Sequence, residues 1–244
     1  MPTLRSTALS VAVVIAMTHS PGLHAGEPDN VLVGEIIKTA PLLEGMGDFT
    51  HPVTTSNPLA QRYFDQGMVL AFGFNHAEAA RSFQQAQILD PDCAMAYWGQ
   101  AWVLGPNINA PMSPEAVEPA WSALQKALEN FGNASQRERD YILALAARYT
   151  AEPLEDRTPL DRAFADAMRT VAAKYPDDHE AQIIFAEALM DTSPWHYWDD
   201  DGQPLPFTSE ILTTLERVLA RNPNHPQACH LYIHAVEKTH PEWA

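Results

Sequence analysis

Residues 79–91 read AARSFQQAQILDP, and the spacing of four of them decides the fold. Ala79, Phe83, Ala86 and Pro91 follow the pattern A-x3-F-x2-A-x4-P. The same spacing, occupied by apolar residues, returns three times along the chain, and only the first of these copies lacks the proline. The copies are Ala120, Leu124 and Ala127, then Phe164, Met168, Val171 and Pro176, and finally Ile211, Leu215, Val218 and Pro223. A repeat on this scale predicts an array of stacked helical hairpins, with function carried on its surface.

Helical periodicity and turn residues predict an all-α chain of nine helices with no strand between them. The predicted helices span 58–72, 75–90, 94–104, 114–130, 135–149, 159–174, 179–190, 208–221 and 226–238. Paired in order, they predict four repeats and a half, over approximately 60–93, 94–132, 133–178, 179–225 and 226–244. An extended leader, residues 26–57, precedes them and is expected to pack along the first helix.

The first repeat resembles the tetratricopeptide-repeat (TPR) family. Six residues match the small and aromatic positions of that family's pattern: Tyr63, Gly67, Ala79, Phe83, Ala86 and Pro91. Tyr97 and Ala101 open the second repeat in the same way, whereas later copies match by apolar class only. Those copies are also stretched, since Phe83 to Leu124 is 41 residues against a family period of about 34. The resemblance, closest to exported bacterial TPR proteins, implies a right-handed superhelical solenoid.

The N-terminus resembles an export signal. Arg5 precedes a short apolar run, residues 8–17, and Ala25 offers a cleavage site, so residues 1–25 are expected to be removed. An uncleaved anchor remains the alternative, and the mature chain is expected to be periplasmic or secreted, with no membrane span. Cys93 and Cys229 are about three repeats apart, so we expect two separate, half-buried thiols even in an oxidising compartment.

Composition excludes one class of partner. The chain carries 31 acidic and 15 basic residues, a formal charge of −16, and has no Lys/Arg cluster that could bind phosphates. Nucleic acid is therefore not expected as a partner. The sequence also contains no Ser-His-Asp set, phosphate-binding glycine loop or pair of buried acids, so an enzyme is not favoured.

The family's register implies which side chains line the concave groove. In the first two repeats these are aromatic or sulfur-containing: Phe64, Met68, Phe72, Met95, Trp98 and Trp102. Such a surface suits an apolar or extended peptide. Two interpretations stay open, because the same side chains could instead pack against the leader. The sequence thus predicts a non-catalytic module that binds a protein or peptide.

A second hypothesis is a periplasmic metal-binding module. His230 and His234 are one helical turn apart, Glu237 continues the same face, and Glu187 could add an oxygen ligand from a neighbouring repeat. Zn²⁺ or Cu²⁺ would be the ion, and no other cofactor is expected. The alternative is that both imidazoles hydrogen-bond neighbouring groups. For His51, in the leader, and His76, at the start of the second helix, a structural role is favoured.

Two long connections are candidate binding loops. Residues 105–112, GPNINAPM, carry Asn107 and Asn109, and residues 191–207 carry Trp195 and Trp198, which are expected to cover one end of the groove.

At the C-terminus, residues 240–244 begin what resembles the second helix of a fifth repeat. We therefore expect the natural chain to continue past Ala244, or the last helix to be covered by self-association or by another chain.

Overall fold

The computed structural model describes residues 40–244, all of them outside the predicted signal peptide and the first part of the leader. This part of the chain contains nine α-helices and no strand, which confirms the predicted all-α class. The helices are α1 (Pro58–Phe72), α2 (His76–Leu89), α3 (Ala94–Val103), α4 (Pro114–Glu129), α5 (Gln136–Ala146), α6 (Thr158–Lys174), α7 (His179–Asp191), α8 (Thr208–Leu219) and α9 (Pro226–Val236). Short 3-10 turns occupy Phe131–Asn133 and Pro241–Trp243.

Local sequence explains where these helices begin. Asn57 caps α1 by accepting hydrogen bonds from the backbone N–H groups of Leu59 and Ala60, and Pro58 occupies the first turn. Ser135 and Glu138 form a capping box at α5, in which each side chain bonds the other residue's backbone N–H. The Asp178 side chain caps α7 by accepting from the N–H of Ala181. Each cap pairs backbone donors that the helix itself leaves unpaired.

Each helix packs against the next one along the chain, and some odd-numbered helices also meet one another. Helix α3 contacts both α1 and α5, while α9 contacts both α7 and α1, so the last helix returns to the first. The apolar residues of the repeating pattern lie inside this packing, each at most 4% exposed: Ala79, Phe83, Ala86, Ala120, Leu124, Ala127, Phe164, Met168, Val171, Ile211, Leu215 and Val218. The periodic spacing is therefore the spacing of the core.

Two glycines allow close packing around Phe83. Its ring lies between Gly67 on α1 and Gly99 on α3. A Cβ atom added at Gly67 or Gly99 would lie 2.6 or 2.5 Å from the ring's Cε1 atom. Ordinary carbon contacts are about 3.5–4.0 Å, so neither position has space for a side chain while Phe83 keeps its place.

Both cysteines are free, as the sequence predicted. Cys93 is buried and Cys229 is half-buried. The structure also leaves part of the C-terminal region exposed, with Ile233 of α9 at 44% and Trp243 at 48%. Among the described residues, no helix combines the length and the apolar character needed to cross a membrane.

Candidate functional site

Residues 40–57, which we call the leader segment, form neither helix nor strand and lie against α1. Gln66 holds the start of this segment, because its Oε1 accepts from the N–H of Leu43 at 2.7 Å and its Nε2 donates to the carbonyl of Pro41 at 3.0 Å. The Tyr63 hydroxyl donates to the carbonyl of Ala40 at 3.1 Å. These bonds recognise the backbone of an extended chain rather than its side chains.

Further along, Gln61 and Asp65 of α1 hold the segment in the same manner. Gln61 Nε2 donates to the carbonyl of His51 at 2.9 Å, and its Oε1 accepts from the N–H of Val53 at 3.0 Å. The Asp65 carboxylate accepts from the N–H of His51 at 3.0 Å. Helix α1 thus carries four polar side chains that pair with backbone groups of the extended segment: Gln61, Tyr63, Asp65 and Gln66.

The segment then crosses to α5. Both the N–H and the hydroxyl of Thr54 donate to the carboxylate of Glu138, and Arg137 Nη2 donates to the carbonyl of Pro52 at 2.7 Å. Burial raises the pKa of Glu138, but hydrogen bonds from Thr54 and Ser135 outweigh it and lower the pKa below its ordinary value. Glu138 is therefore an ionised acceptor at neutral pH, and a charged acceptor makes the stronger hydrogen bonds.

The six side chains predicted to line the groove are all buried, with at most 7% exposed. The leader segment covers two of them: the Phe49 ring lies edge-on to Phe72 at 5.1 Å, and the His51 ring lies 6.2 Å from Phe64. Trp98 and Trp102 stack on each other at 5.5 Å, and the Trp98 indole donates to the carbonyl of Tyr141 at 3.2 Å. Phe83 also packs on Phe64 and His225 on Phe72, so the leader segment shares the covering of these two rings.

Asn107 and Asn109 lie in the loop between α3 and α4, beside a cavity of about 430 Å³. Asn107 Nδ2 is 3.3 Å from His76 Nδ1, and the Asn107 side chain accepts from the N–H of Asn109 at 2.9 Å. These contacts fold the loop on itself. The same cavity is lined by Asp161 and Asp191, which sequence reasoning did not associate with the loop.

Asp191 belongs to a buried polar cluster between α5, α6 and α7. Arg148 Nη2 donates to Asp191 Oδ2 at 2.6 Å, and both side chains are at most 3% exposed. Burial, together with the nearby charge of Asp191, raises the pKa of Glu187 to about 8. Glu187 is therefore protonated at neutral pH. Its Oε2 atom has no hydrogen-bond partner within residues 40–244.

The predicted metal ligands do not converge on one point. His230 Nδ1 lies 2.7 Å from the carbonyl of Phe72, and His234 Nδ1 lies 2.7 Å from Glu237 Oε1. The two imidazole rings are close, at 4.7 Å between centroids. Glu187, however, lies in the Arg148 cluster, and no three of these four side chains have ligand atoms within 4.8 Å of one another. The histidine pair stays a prediction.

The one described group of three potential ligands that meets this distance is His51, Asp178 and Glu180. Sequence reasoning did not find it. His51 is 129 residues from Glu180, and the acids of 177–180 read as ordinary helix-start residues. Only the path of the leader segment brings the three together.

The two tryptophans of the loop before α8 have different surroundings. Trp198 is buried, and its indole donates to the carbonyl of Ala235 on α9 at 2.7 Å. His240 and Trp243, whose rings stack at 4.0 Å, pack edge-on against it. Trp195 is 43% exposed and lies edge-on to His234 at 5.0 Å. The loop therefore packs on the last helix.

Comparisons of the chain with protein-family models, with curated proteins and with solved structures found no match.

Proposed function

We propose that this chain is a TPR-like repeat solenoid that acts as a binding or scaffold module for extended peptide segments on the face of its odd-numbered helices. The export-like N-terminal sequence supports a place for this module outside the cytoplasm. Its role is recognition rather than catalysis.

One observation carries the proposal: an extended segment of the chain itself, residues 40–57, already occupies this face. Gln61, Asp65 and Gln66 bond backbone groups of that segment, and the amide side chains each bond one N–H and one carbonyl. Backbone recognition of this kind tolerates many side-chain sequences. Peptide-binding domains commonly combine main-chain hydrogen bonds for affinity with side-chain pockets for specificity.

The leader segment would then compete with any external peptide. A peptide must displace residues 40–57, so the observed affinity equals the intrinsic affinity multiplied by the fraction of molecules whose face is free. A variant whose own segment is weakened should bind a peptide in trans more tightly than the parent chain does.

Thr54 and Thr55 offer a way to weaken the segment without changing the face. Their hydroxyls donate to Glu138 and Asp90, respectively. Fluorescence anisotropy of a labelled peptide with the sequence of residues 40–57 would compare the parent chain with the Thr54→Ala/Thr55→Ala variant. We expect the variant to bind at least tenfold more tightly.

The control adds Gln61→Ala and Gln66→Ala to that variant, which removes the amides that pair with the peptide backbone. We expect this addition to abolish the gain. Equal affinities in all three proteins, with unchanged helix content by circular dichroism, would refute peptide binding on this face.

A further inference from the structure

Three potential metal ligands meet where the leader segment touches the start of α7. His51 is 3% exposed, and the side chains of Asp178 and Glu180 are 5% and 13% exposed. One ligand atom from each lies within 4.8 Å of the others. Ligands about 2.1 Å from a tetrahedral Zn²⁺ ion are about 3.4 Å apart. The three side chains need only small movements to bind one ion.

Each carboxylate is already oriented. Asp178 Oδ1 accepts from the N–H of Ala181 at 3.2 Å as the helix cap, which turns Oδ2 away from the backbone. Glu180 Oε2 lies 3.3 Å from His51 Nδ1, and Glu180 Oε1 lies 3.3 Å from Nε2 of His225, a buried residue at the start of α9. Supporting hydrogen bonds of this kind fix the geometry of ligands around metals.

Two buried polar atoms at this point make no hydrogen bond of ordinary length. Asp178 Oδ2 and the hydroxyl of Tyr141 have no hydrogen-bond partner among the residues described, and Tyr141 is only 1% exposed. Arg137 forms an ion pair with Asp178, but its Nη1 lies 3.6 Å from Oδ2, too far for a hydrogen bond. The Asp178 carboxylate lies beside the Tyr141 hydroxyl. Buried polar atoms are normally paired, and a cation bound at Asp178 Oδ2 would be a closer partner than Arg137.

A purely structural ion pair explains these contacts less well. Its two histidine–carboxylate distances are 3.3 Å, longer than the roughly 2.7–2.9 Å of charge-assisted hydrogen bonds. It also leaves Asp178 Oδ2 without a hydrogen-bond partner, since Arg137 Nη1 is 3.6 Å away. A cation between the three side chains would supply that partner. Two carboxylates and a neutral imidazole would balance its charge of +2.

We propose that His51, Asp178 and Glu180 form a binding site for a divalent first-row metal of the Zn²⁺ class, with His225 as a positioning residue for Glu180. An imidazole ligand favours zinc and its neighbours over Mg²⁺ or Ca²⁺, which prefer oxygen ligands alone. The ion would fasten the leader segment to α7, and this role does not depend on peptide binding.

The test uses the chain without a polyhistidine tag, stripped of metal, and calorimetric titration with Zn²⁺. We expect one ion per chain. His51→Gln and Asp178→Asn should each weaken binding at least tenfold, and asparagine at 178 keeps the helix cap. His225→Leu should weaken it about tenfold, whereas His225→Gln, which keeps a donor, should restore the affinity.

The matched control is His230→Ala/His234→Ala, which removes the other histidine pair. We expect its Zn²⁺ affinity to equal that of the parent. No uptake by the parent chain, unchanged uptake by the His51 and Asp178 variants, or loss of uptake in this control would each overturn the proposal.

If a variant does not fold, X-ray absorption of the zinc-loaded parent chain identifies the ligand atoms around the ion instead. We expect a shell of nitrogen and oxygen with a single imidazole. Two imidazoles, or sulfur, would place the ion elsewhere and overturn the assignment.

Discussion

Replacing Gly99 with alanine should destabilise the fold through one aromatic ring. The new Cβ atom would lie 2.5 Å from Cε1 of Phe83, about 1 Å inside an ordinary carbon contact. The ring cannot move towards α1 to escape, because its opposite side faces Gly67, where an added Cβ would also lie only 2.6 Å away. The clash must therefore push α3 away or force Phe83 from its rotamer.

The expected magnitude follows from two opposing effects. Overpacking a core lowers the free energy of unfolding by about 1–3 kcal/mol. Because the Phe83 ring is blocked on both sides, we expect a loss of about 3 kcal/mol. Replacing glycine with alanine inside a helix stabilises that helix by about 1 kcal/mol. The net loss should be about 2 kcal/mol, which lowers the unfolding temperature of a chain of this size by about 4–8 °C.

Urea unfolding followed by circular dichroism measures this loss. Gly132→Ala is the control, since a Cβ atom at that position meets no atom within 4 Å, and it should change stability by less than about 0.5 kcal/mol. Adding Phe83→Leu to Gly99→Ala should cost less than the sum of the two single changes. A Gly99→Ala chain as stable as the Gly132→Ala control, or strict additivity with Phe83→Leu, would refute the reasoning.

Two further predictions concern titration and reactivity. Since burial raises the pKa of Glu187 from 4.5 to about 8, the folded chain holds a proton that the unfolded chain releases, so stability should fall as pH rises from 4.5 to 8 and level off above. Glu187→Gln should flatten that decline in urea unfolding measured at pH 5, 6.5 and 8, and an unchanged slope would contradict the assignment. Burial also raises the pKa of the Cys93 thiol to about 11, so the native chain should react with Ellman's reagent at Cys229 alone and at both thiols in denaturant. If the single thiol left in the folded Cys229→Ala variant reacts as fast as the one left in the folded Cys93→Ala variant, this prediction is refuted.

The helices were predictable because their signals are local. Helix α1 spans Pro58–Phe72 in both prediction and structure, since Asn57 and Pro58 mark its start and Gly73 follows its end. Where such signals are missing, the predicted helix is too long. Helix α5 ends at Ala146 rather than at 149 as predicted, because no glycine or proline marks its end.

The candidate sites depended on information that no local pattern carries. The register identified an inward face containing Phe64 and Phe72, but burial of that face depends on where the leader segment runs. His51 and Glu180 are brought together by that same path, across 129 residues. Helical spacing drew attention to His230 and His234 because they are neighbours in sequence, and it could not associate Asp178 with a histidine from the leader.

The contact between α9 and α1 alters how the molecule would come apart. His230 Nδ1 lies 2.7 Å from the carbonyl of Phe72, so α9 is bonded to the end of α1. In an open array each terminal hairpin has one neighbour and frays first, and stability is a sum of nearest-neighbour contributions. Because α9 contacts α1 as well as α7 and α8, separating α9 breaks contacts on more than one side. Opening of α9 should therefore be coupled to α1, in a larger cooperative unit than one pair of neighbouring helices.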